Sequence, residues 1–160
     1  MHTNAPEGYL CPLCCIAQGI EREDFPYTKQ QDIFYQDTQL TAFVSSHWWP
    51  NNRGHVIIIP NRHTENLYDM PDEELAAIHS LSRTIALAFK ETYGCDGVST
   101  RQHNEPAGDQ DVWHYHLHVF PRYLDDQLYI RNAEKFLSHP AERLAYAEKL
   151  RGYFQKHYKP

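Results

Sequence analysis

Two kinds of hydrophobic pattern occur along this chain, and short runs of β-branched, aromatic or aliphatic residues mark four segments. Residues 32–35 and 40–44 flank a polar turn and predict a β-hairpin. Residues 55–59 are an aliphatic segment that stops at Pro60, and residues 98–102 form another β-type segment. The pattern therefore predicts an antiparallel sheet.

Apolar residues that recur every three or four positions predict two helices. The first follows Pro71, has acidic residues in its first turn and ends before Gly94. The second begins at Pro140 and carries leucine, alanine and phenylalanine on one stripe, up to Phe154. Helices packed on an antiparallel sheet define an α+β fold.

Three histidines alternate with apolar residues in segment 114–120, which predicts a fifth strand. Because successive strand residues point to opposite faces, His114, His116 and His118 are expected on one face and the intervening residues in the core. Such a row of imidazoles suits an anionic substrate. A metal site is the alternative, since His-x-His on a strand is a familiar ligand pair, and a lone strand histidine is usually only a packed imidazole.

Length and charge narrow the function classes. The 160 residues fit one domain that spans residues 1–160. The net charge of −6 and the lack of a Lys/Arg cluster argue against a polynucleotide partner. The longest aliphatic run, residues 56–59, is far shorter than the roughly 20 residues that span a bilayer. The N-terminus also lacks the order of a secretory signal, so we expect a cytoplasmic protein without a membrane partner.

The cysteines cluster near the N-terminus. Three of the four are Cys11, Cys14 and Cys15, which is not the spaced framework of a secreted disulfide domain. Cys11 and Cys14 have the C-x-x-C spacing of a zinc knuckle. The alternative is a pair of reduced cysteines packed as small hydrophobic residues.

The histidine strand and its flanks resemble the signature of the histidine triad (HIT) family of nucleotide hydrolases and transferases. Gly54-His55 opens the aliphatic strand, residues 60–63 close it, and Ala107-Gly108 precedes the triad. Pro121-Arg122 after the triad is similar to the fragile histidine triad branch, which cleaves diadenosine polyphosphates, and to many bacterial members. The resemblance covers about residues 11–122 of a five-stranded HIT-like domain. A helical extension over about residues 124–160 lies outside the motifs.

The resemblance implies a covalent mechanism. His116 would attack the α-phosphorus of a nucleotide conjugate and form a nucleotidyl-histidine that water resolves, a role that suits a neutral imidazole. His118 would hydrogen-bond a phosphate oxygen or protonate the leaving group. The implied reaction is hydrolysis of a phosphoanhydride or phosphoramidate bond. Nucleotidyl transfer, a nucleotide-binding regulator with little turnover and a zinc-dependent hydrolase are the alternatives.

The loop before the triad departs from the family pattern Gly-Gln-x-Val-x-His. Residues 110–114 keep the last five positions, and Asp109 is an extra residue after Gly108. The backbone N–H groups of this loop are expected to cradle the α-phosphate. Asp111 stands where a small hydroxyl residue is common. Since a carboxylate facing a phosphate would repel it, we expect Asp111 to point away.

The other substrate contacts are also expected from the resemblance. Ser45 follows the Ala42-Phe43-Val44 stretch near the place where relatives bind the ribose with an acidic or amide residue. Trp48, Trp49 and Phe43 either stack on a base or serve as packing anchors. Either Gln102 or Asn104 would contact the phosphate or the leaving group. The predicted substrate-binding residues are Ser45, His55, Gln102, Asn104, Gly108, Gln110 and Val112.

Many bacterial HIT proteins are similar in carrying a structural zinc at the C-x-x-C knuckle. The resemblance implies that His63 and His114 complete the set with Cys11 and Cys14, with His55 as the alternative third ligand. Such a closed tetrahedral site would tie the N-terminal segment to the sheet and orient His114 without joining the chemistry. No catalytic cofactor is expected. Family analogy also implies a homodimer that binds a small nucleotide.

Overall fold

A computed structural model describes residues 3–25 and 27–158, and antiparallel strands form its centre. The strands are β1 (Ile33–Gln36), β2 (Leu40–Val44), β3 (His47–Trp48), β4 (Val56–Pro60), β5 (Gly97–Gln102), β6 (Leu117–Arg122) and β7 (Phe136–Leu137). Five of them form one sheet in the order β1-β2-β4-β6-β5, and β3 pairs with β7 in a separate ribbon. The predicted hairpin and the α+β class are confirmed.

Three helices accompany the strands: α1 (Pro12–Ala17), α2 (Asp72–Thr92) and α3 (Pro140–His157). Pro71 occupies the N-cap position of α2, and three acidic side chains lie in the first turn, at the positive end of the helix dipole. Gly94 follows the helix with a φ of 64°. The two long helices lie where the sequence predicts them, whereas the short α1 was not predicted. Among the described residues, no helix combines the length and apolar character needed to cross a membrane.

One face of the sheet carries the main core, beneath α2 and α3. This core includes residues of the sheet, of α2 and of the C-terminal helix, among them Val56, Ile58, Ile78, Leu81, Ile85, Tyr115, Leu117, Val119, Ala147 and Leu150. Burying one such large aliphatic side chain contributes about 1.5 to 3 kcal/mol. The C-terminal extension is therefore packed into the same core as the sheet.

Gly54 shows how closely α3 approaches the start of β4. Its φ is 75°, and a Cβ at this position would collide with the ring of Tyr146 on α3. Glycine is therefore required here for two reasons: it adopts the left-handed backbone conformation without strain, and it leaves room for the Tyr146 ring.

A buried ion pair fixes α3 further. The Arg143 guanidinium donates from Nε to Asp32 Oδ2 at 2.9 Å, and the two side chains are 1% and 0% exposed. Arg143 also donates to the carbonyls of Ser138, at 2.6 Å, and Tyr27, at 2.7 Å. One side chain thus joins α3 to the start of the hairpin and to the segments that flank the ribbon.

The opposite face of the sheet is only partly covered. Helix α1 packs Leu13 and Ile16 on Phe43 and Ile59. A smaller cluster of Trp49, Phe120 and Leu128 lies apart from it. A cavity lies along this face.

The histidine strand begins later than the alternation predicts. Strand β6 starts at Leu117, and residues 114–116 lie outside the sheet ladder. The backbone N–H of His114 donates to the Val112 carbonyl at 2.8 Å, and that of Tyr115 to the Thr64 carbonyl at 2.6 Å. These loop hydrogen bonds replace the ladder, so His114 is not held to the strand's alternation.

Candidate functional site

The triad histidines lie on the face of the sheet opposite the main core, as predicted. Tyr115, Leu117 and Val119 enter the main core. The rings of His116 and His118 lie on the other face with their centroids 5.0 Å apart. The ring of His114 instead turns towards the N-terminal cysteines. Because these cysteines belong to the α1 cluster on that same face, His114 stays on the predicted face, but it precedes the strand and does not line the cavity.

The tautomer of His116 follows from its backbone partner. Its Nδ1 lies 2.7 Å from the carbonyl oxygen of His114, which can only accept, so Nδ1 carries the proton. Nε2 then keeps its lone pair in the cavity that His116 lines. The side chain is 4% exposed, and burial lowers its pKa below the usual 6.5. His116 is thus neutral at physiological pH and has a nucleophilic nitrogen available.

His118 and His55 face each other through ring nitrogens. His118 Nδ1 and His55 Nε2 are 3.3 Å apart, so one of them donates to the other. Burial lowers the pKa of His55 to about 3 and holds that of His118 well below 6.5, so both rings are neutral. When His55 donates, the Nε2–H of His118 remains as a donor for a bound group. The tautomers of His55 and His118 are therefore coupled through this contact.

These rings line a cavity of about 310 Å³, a size typical of small-molecule sites. Its apolar side belongs to the α1 cluster and consists of Leu13, Phe25, Phe43, Ile57 and Val112. Its polar side holds the histidines, Trp49 and Lys135. The arrangement provides an apolar surface for a ring and polar groups for an anion.

Three of the predicted substrate-binding residues line the cavity, namely Ser45, His55 and Val112. Gln110 lies in the loop instead, and it is buried. Its amide donates to the carbonyls of Glu65, at 2.7 Å, and Val112, at 3.0 Å, while its oxygen accepts from the Glu105 N–H at 2.8 Å. Gln110 therefore braces the loop through its side chain.

The cavity lining does not include three further predicted residues, which make hydrogen bonds near the loop instead: Gln102, Asn104 and Gly108. The amide groups of Gln102 and Asn104 bond each other at 2.9 and 3.1 Å. The Gly108 carbonyl accepts from His103 Nδ1 at 2.6 Å. The extra residue, Asp109, follows a short 3₁₀ turn and adopts a left-handed conformation with a φ of 69°, which accommodates the insertion.

Asp111 does not point away from the reacting groups, so that expectation is wrong. Its Oδ1 lies 3.9 Å from His116 Nε2, and its side chain is 76% exposed at the cavity mouth. Asp111 and the next residue, Val112, both line the cavity. A negative charge thus borders the nucleophile.

The aromatic residues divide between packing and the cavity. Trp48 is fully buried in the main core, with its ring centroid 5.1 Å from that of Tyr146. Trp49 lines the histidine side of the cavity, and Phe43 lines the apolar side. Of the three candidates for base stacking, Trp48 therefore acts as a packing anchor.

A second cluster brings together the four predicted metal ligands, Cys11, Cys14, His63 and His114. Their donor atoms all lie within 4.8 Å of one another. Cys11 Sγ and His114 Nδ1 are 3.3 Å apart, Cys14 Sγ and His63 Nδ1 are 3.3 Å apart, and the two Nδ1 atoms are 3.3 Å apart. The proposed alternative ligand, His55, lies beside His118 instead.

This geometry fits a tetrahedral zinc ion. Metal bonds of about 2.0 to 2.3 Å in a tetrahedron separate the donors by about 3.3 to 3.8 Å. His114 Nε2 donates to the Pro60 carbonyl at 2.9 Å, which leaves the Nδ1 lone pair for a metal. The donor set and its tautomer therefore suit zinc.

Residues of the cavity wall that sequence reasoning missed include Phe25, Tyr27, His47 and Lys135. Phe25 and Tyr27 lie in an irregular segment, and His47 lies in the two-residue strand β3. Lys135 directly precedes β7, which is equally short. Strands of two residues leave no periodic signal, so only the folded chain brings these side chains together.

Comparison with known proteins gives a consistent result. A family model of the HIT domain matches residues 27–125. An uncharacterised HIT-like protein of Mycobacterium tuberculosis is 37% identical over 118 residues, which span 74% of this chain and 75% of that protein. A zinc-bound histidine triad family protein from Mycobacterium smegmatis superimposes with a TM-score of 0.72 at 28% identity, over 91% of this chain and 94% of that one. A diadenosine triphosphate hydrolase of Plasmodium falciparum shares the fold, with a TM-score of 0.69 at 17% identity over 82% of each chain.

Proposed function

This chain belongs to the histidine triad (HIT) family, and on that premise we propose that it is a nucleotide hydrolase. The reaction is cleavage of a phosphoanhydride or phosphoramidate bond in a conjugate of a nucleoside monophosphate. The observation that carries the proposal is the tautomer of His116. Its Nδ1 proton is held by the His114 carbonyl, and Nε2 is free to attack from the cavity wall.

The cavity wall supports a defined orientation of the nucleotide. The base packs on the apolar side, where Phe43, Ile57 and Val112 lie. Ser45 lies at the cavity with a hydroxyl that can bond the ribose. The α-phosphate is then placed at His116, between the apolar and the polar sides.

The reaction proceeds in two displacements at phosphorus. The Nε2 lone pair of His116 forms a P–N bond, and the leaving group departs with the electron pair of its bond to phosphorus while it accepts the Nε2 proton of His118. Water then attacks the same phosphorus and gives a proton to His118 Nε2, which restores the starting state of that ring. The electrons of the P–N bond return to Nε2, and the nucleoside monophosphate is released. The His114 carbonyl holds Nδ1–H throughout.

We also propose that Cys11, Cys14, His63 and His114 hold a structural zinc ion. The support is the spacing of the four donors and the free Nδ1 of His114. A bound zinc ion supplies a rigid crosslink between α1 and the loop before β6. Its role for the chemistry is limited to the placement of His114, whose carbonyl orients His116.

A second candidate function is a nucleotide-binding module with little turnover. One observation favours it: the Asp111 carboxylate lies 3.9 Å from the nucleophilic nitrogen and opposes the approach of a phosphate. A nucleotidyltransferase of the same family would use the same covalent step with an acceptor other than water. These alternatives differ from the hydrolase in the products that accumulate.

We propose further that the protein is a cytoplasmic homodimer. Strand β5 forms one edge of the sheet, where the same strand of a second copy could pair. None of the four cysteines forms a disulfide in the described structure, which suits a reducing compartment. Light scattering after size exclusion tests the dimer.

The decisive experiment is rapid-quench mass spectrometry with diadenosine triphosphate and, separately, an adenosine phosphoramidate. The wild type should show an adduct of one adenylyl group during turnover, and His116→Ala should show none while it still binds adenosine monophosphate. His79→Ala, at an exposed position on α2, is the matched control and should behave as wild type. Nucleotide binding without adduct or product from the wild type would replace the hydrolase proposal with the binding module.

A further inference from the structure

Lys135 contributes to the cavity from outside the matched HIT domain. The match ends at residue 125, whereas Lys135 follows a 3₁₀ turn at Asn132–Glu134 and directly precedes β7. Its side chain lines the cavity together with His116 and His118. The C-terminal segment therefore adds a positive charge to a site that the domain otherwise builds.

The backbone beside Lys135 is firmly anchored. Phe136 pairs with Trp48 in the β3–β7 ribbon. The backbone N–H and the hydroxyl of Ser138 each donate to the Ser46 carbonyl at 2.8 Å. The buried Arg143 guanidinium also donates a hydrogen bond to the Ser138 carbonyl at 2.6 Å. The backbone next to Lys135 is therefore fixed, and only the flexible side chain of Lys135 adapts to a ligand.

A second cation lies near the same aromatic ring. Lys135 Nζ is 5.8 Å from the ring centroid of Trp49, and the Arg101 guanidinium is 5.2 Å from that centroid. Arg101 is partly buried, and its Nε has no hydrogen-bond partner among the described residues. Trp49 in turn contacts His55, with ring centroids 5.5 Å apart. Both cations therefore lie beside the Trp49 ring, and of the two only Lys135 lines the cavity.

We propose that Lys135 determines leaving-group specificity by binding an anionic group attached beyond the α-phosphate. This inference rests on the proposed function, which places the α-phosphate at His116 and the base on the apolar side. A phosphate chain that continues past His116 towards Trp49 comes near Lys135, whose positive charge attracts it. An amine leaving group is neutral or positive and gains nothing there. The site therefore favours a phosphate chain over an amine.

Asp111 provides the opposing charge in the cavity, and its position explains the direction of the preference. It borders the nucleophile His116 itself at 3.9 Å, where it acts on every substrate alike. Lys135 contacts Trp49 on the histidine side, where only the leaving group differs between substrates. The two charges thus affect different quantities, overall affinity and leaving-group choice.

The test compares Lys135→Met with Lys135→Arg and with Lys149→Met. Lys149 is an exposed lysine on α3 with Nζ 5.4 Å from the Tyr146 ring centroid, so it matches Lys135 in its aromatic contact but lies outside the cavity lining. For diadenosine triphosphate, Lys135→Met should raise KM about fivefold and leave kcat within about twofold. Lys135→Arg should restore KM. For an adenosine phosphoramidate, all three variants should match the wild type.

The salt dependence and direct binding complete the experiment. The KM of the wild type for diadenosine triphosphate should rise with ionic strength more steeply than that of Lys135→Met, because one attractive charge is missing from the variant. In calorimetry, the wild type should bind adenosine triphosphate more tightly than adenosine monophosphate, and Lys135→Met should lose most of that difference.

The outcomes separate this inference from the proposed function. Equal behaviour of Lys135→Met and Lys149→Met overturns the inference while hydrolysis stands. A KM change of the same size for both substrates also overturns it, since Lys135 would then bind a part that the substrates share. Absence of turnover in the wild type defeats the hydrolase proposal alone, because the calorimetric comparison still tests Lys135.

Discussion

The backbone carbonyl of His114 accepts the Nδ1 proton of His116 at 2.7 Å. The same His114 directs its ring Nδ1 into the cluster with Cys11 and Cys14. One residue therefore belongs to both the proposed zinc site and the nucleophile's support. Through it, the N-terminal knuckle has a direct physical route to the orientation of His116.

The first prediction is that loss of the zinc ligands lowers kcat as well as stability. Cys14→Ser removes a donor that lies 3.4 Å from His114 Nδ1, so the metal is lost and His114 is no longer held in place. We expect about one zinc per chain in the wild type and a loss of about tenfold or more in kcat in the variant, with a lower Tm. Metal analysis, calorimetry and steady-state kinetics check these outcomes.

Cys15→Ser is the control for that experiment, since Cys15 is the neighbouring cysteine outside the four-residue cluster. It should retain zinc, Tm and activity. Zinc retention by Cys14→Ser would contradict the assigned ligand set. Full activity of a zinc-free protein would contradict the link from His114 to His116.

The second prediction concerns Asp111. Its carboxylate, 3.9 Å from His116 Nε2, repels the α-phosphate. Asp111→Asn should therefore lower the KM for nucleotide substrates about threefold at low salt, and the gain should shrink at high salt because the charge is screened. Initial rates across a series of ionic strengths measure both effects.

Asp125→Asn, at an exposed position of the segment after β6, should leave KM unchanged at every salt concentration. A fall in kcat at constant KM in Asp111→Asn would show that the carboxylate takes part in the reaction. That result would remove the purely repulsive interpretation.

The third prediction is that His55 makes the folded protein less stable below pH 6.5. Burial lowers the pKa of folded His55 to about 3, while the unfolded residue titrates near 6.5, so the unfolded chain binds the proton more readily between these values. The free energy of unfolding should thus fall by about 1.4 kcal/mol per pH unit below pH 6.5 for this residue. His55→Phe keeps a ring that can stack on Phe120, now 4.4 Å away, but removes the titration.

Urea unfolding of metal-loaded protein at pH 7 and pH 5 tests this prediction. The wild type should lose about 2 kcal/mol more than His55→Phe over this interval. His79→Phe, on the exposed face of α2, should lose as much as the wild type. Identical pH dependence in wild type and His55→Phe would show that His55 is not buried in its neutral form.

The alternation along residues 114–120 predicted correctly that Tyr115, Leu117 and Val119 enter the core and that His116 and His118 share the other face. This succeeded because strand periodicity is a local property of the backbone. The HIT family assignment from the same residues is also confirmed. The alternation does not show that the His114 ring turns from the cavity to the cysteines, because that direction depends on Pro60 and on Cys11, which lie far away in the chain.

Other features had no local signal at all. The strands β3 and β7 contain two residues each, and a period cannot be recognised over that length. Arg143 lies next to the apolar stripe of α3, and charged side chains at such positions usually face solvent. Its burial became evident only with its partner Asp32, which lies at the start of the hairpin.

The last prediction is that Arg143 is essential for stability and for the shape of the cavity. Removing one partner of a buried ion pair leaves the other charge unpaired, so Arg143→Met should lower the free energy of unfolding by about 3 to 5 kcal/mol. Arg53→Met breaks the exposed pair with Glu142 and should cost at most about 1 kcal/mol. Because Arg143 also holds the carbonyls of Tyr27 and Ser138, the first variant should raise KM even under conditions where it is folded. Urea unfolding and steady-state kinetics measure the two effects, and equal losses in both variants would show that the buried pair has no special role.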